Sequence, residues 1–160
     1  MNLNVIKIKN PDNLNFILGQ SHFIKTVEDL YEALVTSVPG IKFGLAFAEA
    51  SGPCLIRTAG TDKSLEKLAA KNLLKICAGH TFIIFLKDCF PINVLAAIKK
   101  VDEVINIFCA SANQVEVIVC QTDQGGAILG VVDGQNPKGI EKAKDKKVRH
   151  AFLRKIGYKL

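Results

Sequence analysis

No apolar run in this chain of 160 residues exceeds six residues. A membrane-crossing helix, which needs about 20, is therefore excluded. The start, Met1-Asn2-Leu3-Asn4-Val5-Ile6-Lys7, lacks the apolar block of a signal peptide and reads as a strand, which places the protein in the cytoplasm as an expectation. The five cysteines, at 54, 77, 89, 109 and 120, contain no C-x-x-C pair and no zinc-ligand spacing, so neither a zinc module nor a disulfide framework is expected. Cys77, Cys109 and Cys120 sit in apolar segments and read as small core residues. Neither G-x-G-x-x-G nor Gly-Lys-Ser/Thr occurs, which removes the dinucleotide and Walker fingerprints. A G-x-S-x-G elbow is also missing, which argues against a hydrolase built on Ser51, His80 and Asp133. Histidine is scarce, with His22 and His150 in polar stretches and His80 between two apolar elements.

Positive charge is lacking over most of the chain. From Lys138 onward nine Lys and Arg stand against Glu141 and Asp145, a local charge of +7 within a total of +6, so the preceding 137 residues carry about −1. A basic tail can bind nucleic acid by counterion release. Without aromatic interleaving or a known nucleic-acid motif, a solvated face that also attracts nucleotide phosphates fits better, and nucleic acid is not the expected partner.

Apolar content of 49% supports one domain over residues 1–160 with a sizeable core. Leu3 to Ile8 alternates like a strand, with Asn15 to Leu18 as a partner. Thr26 has the look of an N-cap, and Val27, Leu30, Leu34 and Val38 share one helical face up to Pro39-Gly40. Ile41 to Glu49 and Cys54 to Thr58 are strands around Ser51-Gly52-Pro53. A helix from about Ser64 to Cys77 carries Leu65, Leu68, Ala69, Leu73, Ile76 and Cys77, and Gly79 stops it. His80 then opens Thr81 to Leu86, apolar almost throughout and so expected to be buried on both faces. Pro91 suits the first turn of a third helix. Strands follow at Val104 to Cys109, Val115 to Cys120 and Ala127 to Val132, and Asn136-Pro137 opens a last helix. Hairpins mixed with helical crossovers predict a layered α/β or α+β domain, with a mixed sheet flanked by helices.

Small polar clusters punctuate the strand ends. Glu49 could hold a metal ion, orient an imidazole or accept a proton, or it could simply be solvated. Ser51 and Gly52 could give hydroxyl and N–H groups to a phosphate, or only make the turn. Gly125-Gly126 offers backbone N–H groups, as phosphate or ribose requires, or a plain hairpin; Asp133-Gly134 has the same ambiguity. Asn93, in a first helical turn, could meet an anion or a base edge, or only assist the helix start. His80 stands where α/β proteins place their chemistry.

Ile41-Lys42-Phe43-Gly44-Leu45-Ala46-Phe47-Ala48-Glu49-Ala50-Ser51-Gly52-Pro53 resembles the signature of the adenosine-specific kinase family of archaea and bacteria. Ala78-Gly79-His80, Phe90-Pro91-Ile92-Asn93-Val94-Leu95, Gly126-Ala127-Ile128-Leu129-Gly130-Val131-Val132-Asp133-Gly134 and Leu153-Arg154-Lys155-Ile156-Gly157-Tyr158-Lys159 resemble it too, in order along nearly the whole chain. Gly125 departs from the pattern, in which an arginine commonly precedes the glycine, so any phosphate contact from that arginine is missing.

The resemblance implies a compact α/β domain that binds adenosine or AMP, carries a phosphoryl group on a histidine and assembles as a homo-oligomer, with a trimer favoured. The phosphoryl-bearing residue would be His80. Its attacking nitrogen must be neutral, which an ordinary histidine pKa near 6.5 permits. Glu49 is the candidate to fix the tautomer. Transfer would rest on positioning and charge neutralisation by N–H groups near Ser51-Gly52 and Gly125-Gly126, with Lys42 or Lys138. ATP is the expected donor, with Mg²⁺ on Glu49 or Asp133. The other readings are a regulatory protein that binds adenine nucleotides without turnover, and a nucleic-acid module built on the basic helix.

Overall fold

The computed structural model describes all 160 residues as eight strands and four helices. The strands are β1 (Asn2–Lys7), β2 (Asn15–Ser21), β3 (Lys42–Ala48), β4 (Ile56–Gly60), β5 (Thr81–Lys87), β6 (Val104–Ser111), β7 (Val115–Gln121) and β8 (Gly126–Asp133). The helices are α1 (Thr26–Ser37), α2 (Lys63–Ile76), α3 (Pro91–Ile98) and α4 (Ala143–Lys155). No helix is long and apolar enough to cross a membrane.

The expected α+β domain is present, but its strands form two antiparallel sheets and not one mixed sheet. Five strands run in the order β4-β3-β5-β2-β6 and three in the order β1-β7-β8. The helical crossovers after β2 and β4 lead to strands that lie antiparallel to their new neighbours, which hydropathy alone does not specify. The central strand β5 alternates as doubly buried strands do. Phe82, Ile84 and Leu86 join the core under α1 and α3, with Val27, Leu30, Leu34, Val94 and Ile98. Ile83 and Phe85 join the core on the other face, with Leu65, Ala69 and Leu73 of α2 and Val115, Val117 and Val119 of β7. The layers are thus two helices, the five-stranded sheet, and a third layer shared by α2 and the small sheet.

Close approach of α2 to β3 requires Gly44, where a Cβ would collide with the Leu65 and Glu66 backbone. Asp62 caps α2 by accepting from the Ser64 and Leu65 N–H groups at 2.9 and 3.2 Å. That helix closes where expected, with Ile76 its last residue and Cys77 its cap in the left-handed region at φ 52°. Cys77 is consequently exposed and not a core residue, whereas Cys109 and Cys120 are buried as expected. Thr26 is the first helical residue of α1 and not its cap: it is buried, and its hydroxyl donates to the Phe23 carbonyl and accepts from the Ser21 hydroxyl at 2.9 Å. The last helix begins at Ala143, well after Asn136-Pro137, where the Asp145 carboxylate accepts the Lys142 N–H at 2.9 Å. None of its residues is buried.

Candidate functional site

Strand direction divides the sequence-predicted residues between the two ends of the large sheet. Phe47 pairs with Phe82, so Glu49, just past β3, and His80, just before β5, share one end. Gly126 joins them, since it bridges Ala78 and lies so close to Cys77 that a Cβ would strike that residue's carbonyl oxygen. Lys42 pairs with Lys87 at the other end, where Asp88 and α3 with Asn93 follow. Asp133 also lies at that far end, at the opposite terminus of β8 from Gly126 and thus roughly 23 Å away. Its carboxylate accepts from Ser111 Oγ at 2.7 Å and Asn113 Nδ2 at 3.1 Å, which excludes the Ser51-His80-Asp133 triad on geometry. Asn93 accepts the Phe90 N–H at 3.0 Å and serves the start of its helix. Lys138 is exposed in the segment after β8, also beyond the far end.

At the near end a cleft of about 590 Å³ opens on the α2 side, walled by Glu49, Cys54, Cys77, Gly79, Gly125 and Gly126 among others. Ser51 and Gly52 lie in the turn above it but do not form its wall; the Ser51 carbonyl accepts the Cys54 N–H at 3.3 Å. No lysine or arginine lines the cleft. Five residues other than glycine have positive φ, and the three that are neither Asn nor Asp all border it: Cys54 at 51°, Cys77 at 52° and His80 at 59°. A left-handed residue with a Cβ costs about 1 kcal/mol or more, so such conformations persist only where the surroundings impose them. That concentration of strain has no signature in hydropathy.

His80 is pinned by its backbone, donating to the Ala48 carbonyl at 2.8 Å and accepting from the Ser21 N–H at 2.9 Å. Its half-buried ring stacks on Phe47, centroids 6.1 Å apart and planes 15° apart, on the α1 side of the strand end. The imidazole therefore lies over the rim from the cleft, with the Gly79-His80 backbone between them. Its nitrogens make no hydrogen bond within the protein, so Glu49 is not its partner here. The Glu49 carboxylate instead accepts from Arg57 Nε at 2.9 Å, Arg57 Nη2 at 2.6 Å and the Leu55 N–H at 3.0 Å. The Arg57 hydrogen bond, then that of Leu55, holds this carboxyl below the usual glutamate range. Arg57 was not among the residues expected at the site, although it is the cross-strand partner of Phe47 and so diagonal to Glu49 in a short hairpin. No cluster of three His, Cys, Asp or Glu able to hold a metal ion occurs.

A family model described as adenosine-specific kinase matches residues 6–159. The crystal structure of the PH1918 protein from Pyrococcus horikoshii OT3 is 49% identical and superposes with a TM-score of 0.95, over 99% of this chain and 98% of that one. No curated protein matches. A family match over nearly the whole length, on a domain whose glycine-rich cleft meets a strained histidine at one sheet end, places the chain in the adenosine-specific kinase family.

Proposed function

We propose that the protein is a homo-oligomeric phosphotransferase, favoured as a trimer, that binds adenosine or AMP in the glycine-rich cleft and carries a phosphoryl group on His80. The observation that carries this reading is the state of His80 itself: held in a left-handed conformation at the cleft rim, with both ring nitrogens free of protein partners. Its imidazole attacks the γ-phosphorus of ATP, the bond to the bridging oxygen breaks, and ADP departs; the phosphoryl group then passes to the acceptor. Mg²⁺ enters with the nucleotide, held mainly by phosphate oxygens. Glu49 contributes by holding Arg57 at the strand end and not as the base.

The test is incubation with γ-labelled ATP. Acid-labile label should appear on the wild type and vanish in His80→Ala while the melting curve is unchanged; label retained at the wild-type level refutes the reading. The second reading, nucleotide binding without turnover, is favoured by the imidazole lying outside the cleft wall. It requires saturable AMP binding with no label on His80 and no product from adenosine and ATP.

A further inference from the structure

The chain is too exposed for its size. A folded monomer of 17.4 kDa has about 7,900 Å² of accessible surface, whereas this one has 10036 Å². The excess, about 2,100 Å², compares with the roughly 800 Å² per partner of a stable protein interface. It is not spread evenly. Helix α4 buries nothing, and Val148, Phe152 and Ile156, four residues apart along one stripe, all face solvent, Phe152 at 56%. On the small sheet the register puts Leu3 and Val5 of β1 opposite Cys120 and Ile118 of β7, and Val132 of β8 opposite Glu116, on the face turned away from the core. Leu3 is 69% and Leu129 62% exposed there. The molecule thus has an apolar sheet face with nothing on it and an apolar helix stripe with nothing under it.

Charge has the same asymmetry. The cleft contains one carboxylate and no cation, and Arg57 nearby is committed to Glu49. The lysines of the tail are held away from it, because the segment leaves β8 at the far end and Tyr158 meets Phe90 there, with ring centroids 6.1 Å apart. Gly126 and Ala127, by contrast, both line the cleft and begin the exposed strand β8.

We propose that α4 of one copy lies on the outer face of the β1-β7-β8 sheet of a second copy, and that Lys144 and Lys147, at the N-terminal end of its apolar stripe, supply the positive charge the neighbouring cleft lacks. The interface stands on surface and packing; the role of the lysines rests on the nucleotide reading above. A phosphate-bearing ligand would then be held by the backbone N–H groups of one chain and the ammonium groups of another, and the cleft of an isolated chain would be incomplete.

Two measurements on the full chain decide it. Light scattering should give an oligomer for the wild type at tens of micromolar, and the monomer mass for Phe152→Asp and for Leu3→Asp; both positions are exposed, so neither change disturbs the core. A monomeric wild type, or variants that keep the oligomer, overturn the interface. Next, the pair K144A/K147A is co-expressed with Gly125→Trp, whose ring fills the cleft from a position where a Cβ meets nothing. Each alone should bind AMP at least tenfold more weakly than the wild type, and the mixed oligomer should recover tight binding at a fraction of its sites. Failure to recover overturns supply from the neighbour. If the wild type does not bind AMP, the nucleotide reading fails and the lysine role with it, while the masses still decide the interface.

Discussion

Glu103 offers the sharpest physical test of the fold. Its side chain is 1% exposed and neither carboxylate oxygen has a hydrogen-bond partner. Lys25 Nζ stands 3.6 Å away but is half exposed and also engages Asp29 at 3.0 Å. Burial, and then the neighbouring Asp29 carboxylate, push the Glu103 carboxyl above the ordinary glutamate range. A carboxyl raised on folding costs nothing below its unfolded pKa, where both states are protonated. Stability is then lost as pH rises from that value through the folded one. An unpaired buried group costs about 1–3 kcal/mol when neutral and more when charged, and a half-exposed ion pair returns about 0–1, so the charge itself is expected to cost about 1–2 kcal/mol at pH 8. Glu103→Gln removes the charge and keeps the shape. Denaturant melts at fixed protein concentration should show the two proteins alike near pH 4, and the variant more stable by about 1–2 kcal/mol at pH 8. Asp29, held low mainly by Lys25 and in smaller part by Glu103, runs the other way with pH, and the larger Lys25 part is common to both proteins. Parallel pH profiles, or a variant less stable at pH 8, would refute the account.

Gly125→Arg places a guanidinium on the cleft wall where none exists, and calorimetry should find AMP bound about five- to tenfold more tightly, the worth of roughly 1 kcal/mol for a partly screened charge-assisted contact. Gly44→Ala drives a Cβ into the α2 backbone, which cannot give way as a side-chain tip would, so a thermal melt should register a loss of about 3 kcal/mol or an insoluble product. Native protein should expose the thiols of Cys54 and Cys77 to a disulfide reagent while Cys109, buried and pushed up to about 12, stays silent until the chain is denatured. Saturating AMP should slow the reaction of both exposed thiols, since both line the cleft; an unchanged rate would count against nucleotide binding there.

Periodicity carried most of the element map, because burial on one face leaves a mark every second or every third to fourth residue. It found β5 as a strand sealed on both faces, and α2 with its core stripe. It could not tell how the strands pair, since Phe82 faces the same core whether its neighbour runs parallel or antiparallel. The site was legible in part. Glu49, Gly125, Gly126 and His80 share one end of the sheet, but Lys42, Asn93, Asp133 and Lys138 were drawn to it by residue type and lie at or beyond the other. Arg57 carries no mark in the sequence because its ion pair with Glu49 arises from a cross-strand diagonal. Cys77 reads as a core residue in the sequence, because the left-handed turn that lifts it out of the core is invisible in composition.

The three left-handed residues at the rim have a consequence for how the protein opens. A glycine at any of them would relieve the backbone, so each position gives up stability of about 1 kcal/mol that the chemistry of the fold does not require. Excess free energy gathered in one place lowers the barrier to local unfastening there, while the β5 strand behind it, sealed between two cores, can open only with the whole domain. The amide of His80 and those of Thr81 to Leu86 are neighbours in sequence, yet residue-resolved hydrogen exchange should show the first opening locally and the others only with the global unfolding of the domain. A molecule built this way can loosen the rim of its cleft without loosening its frame.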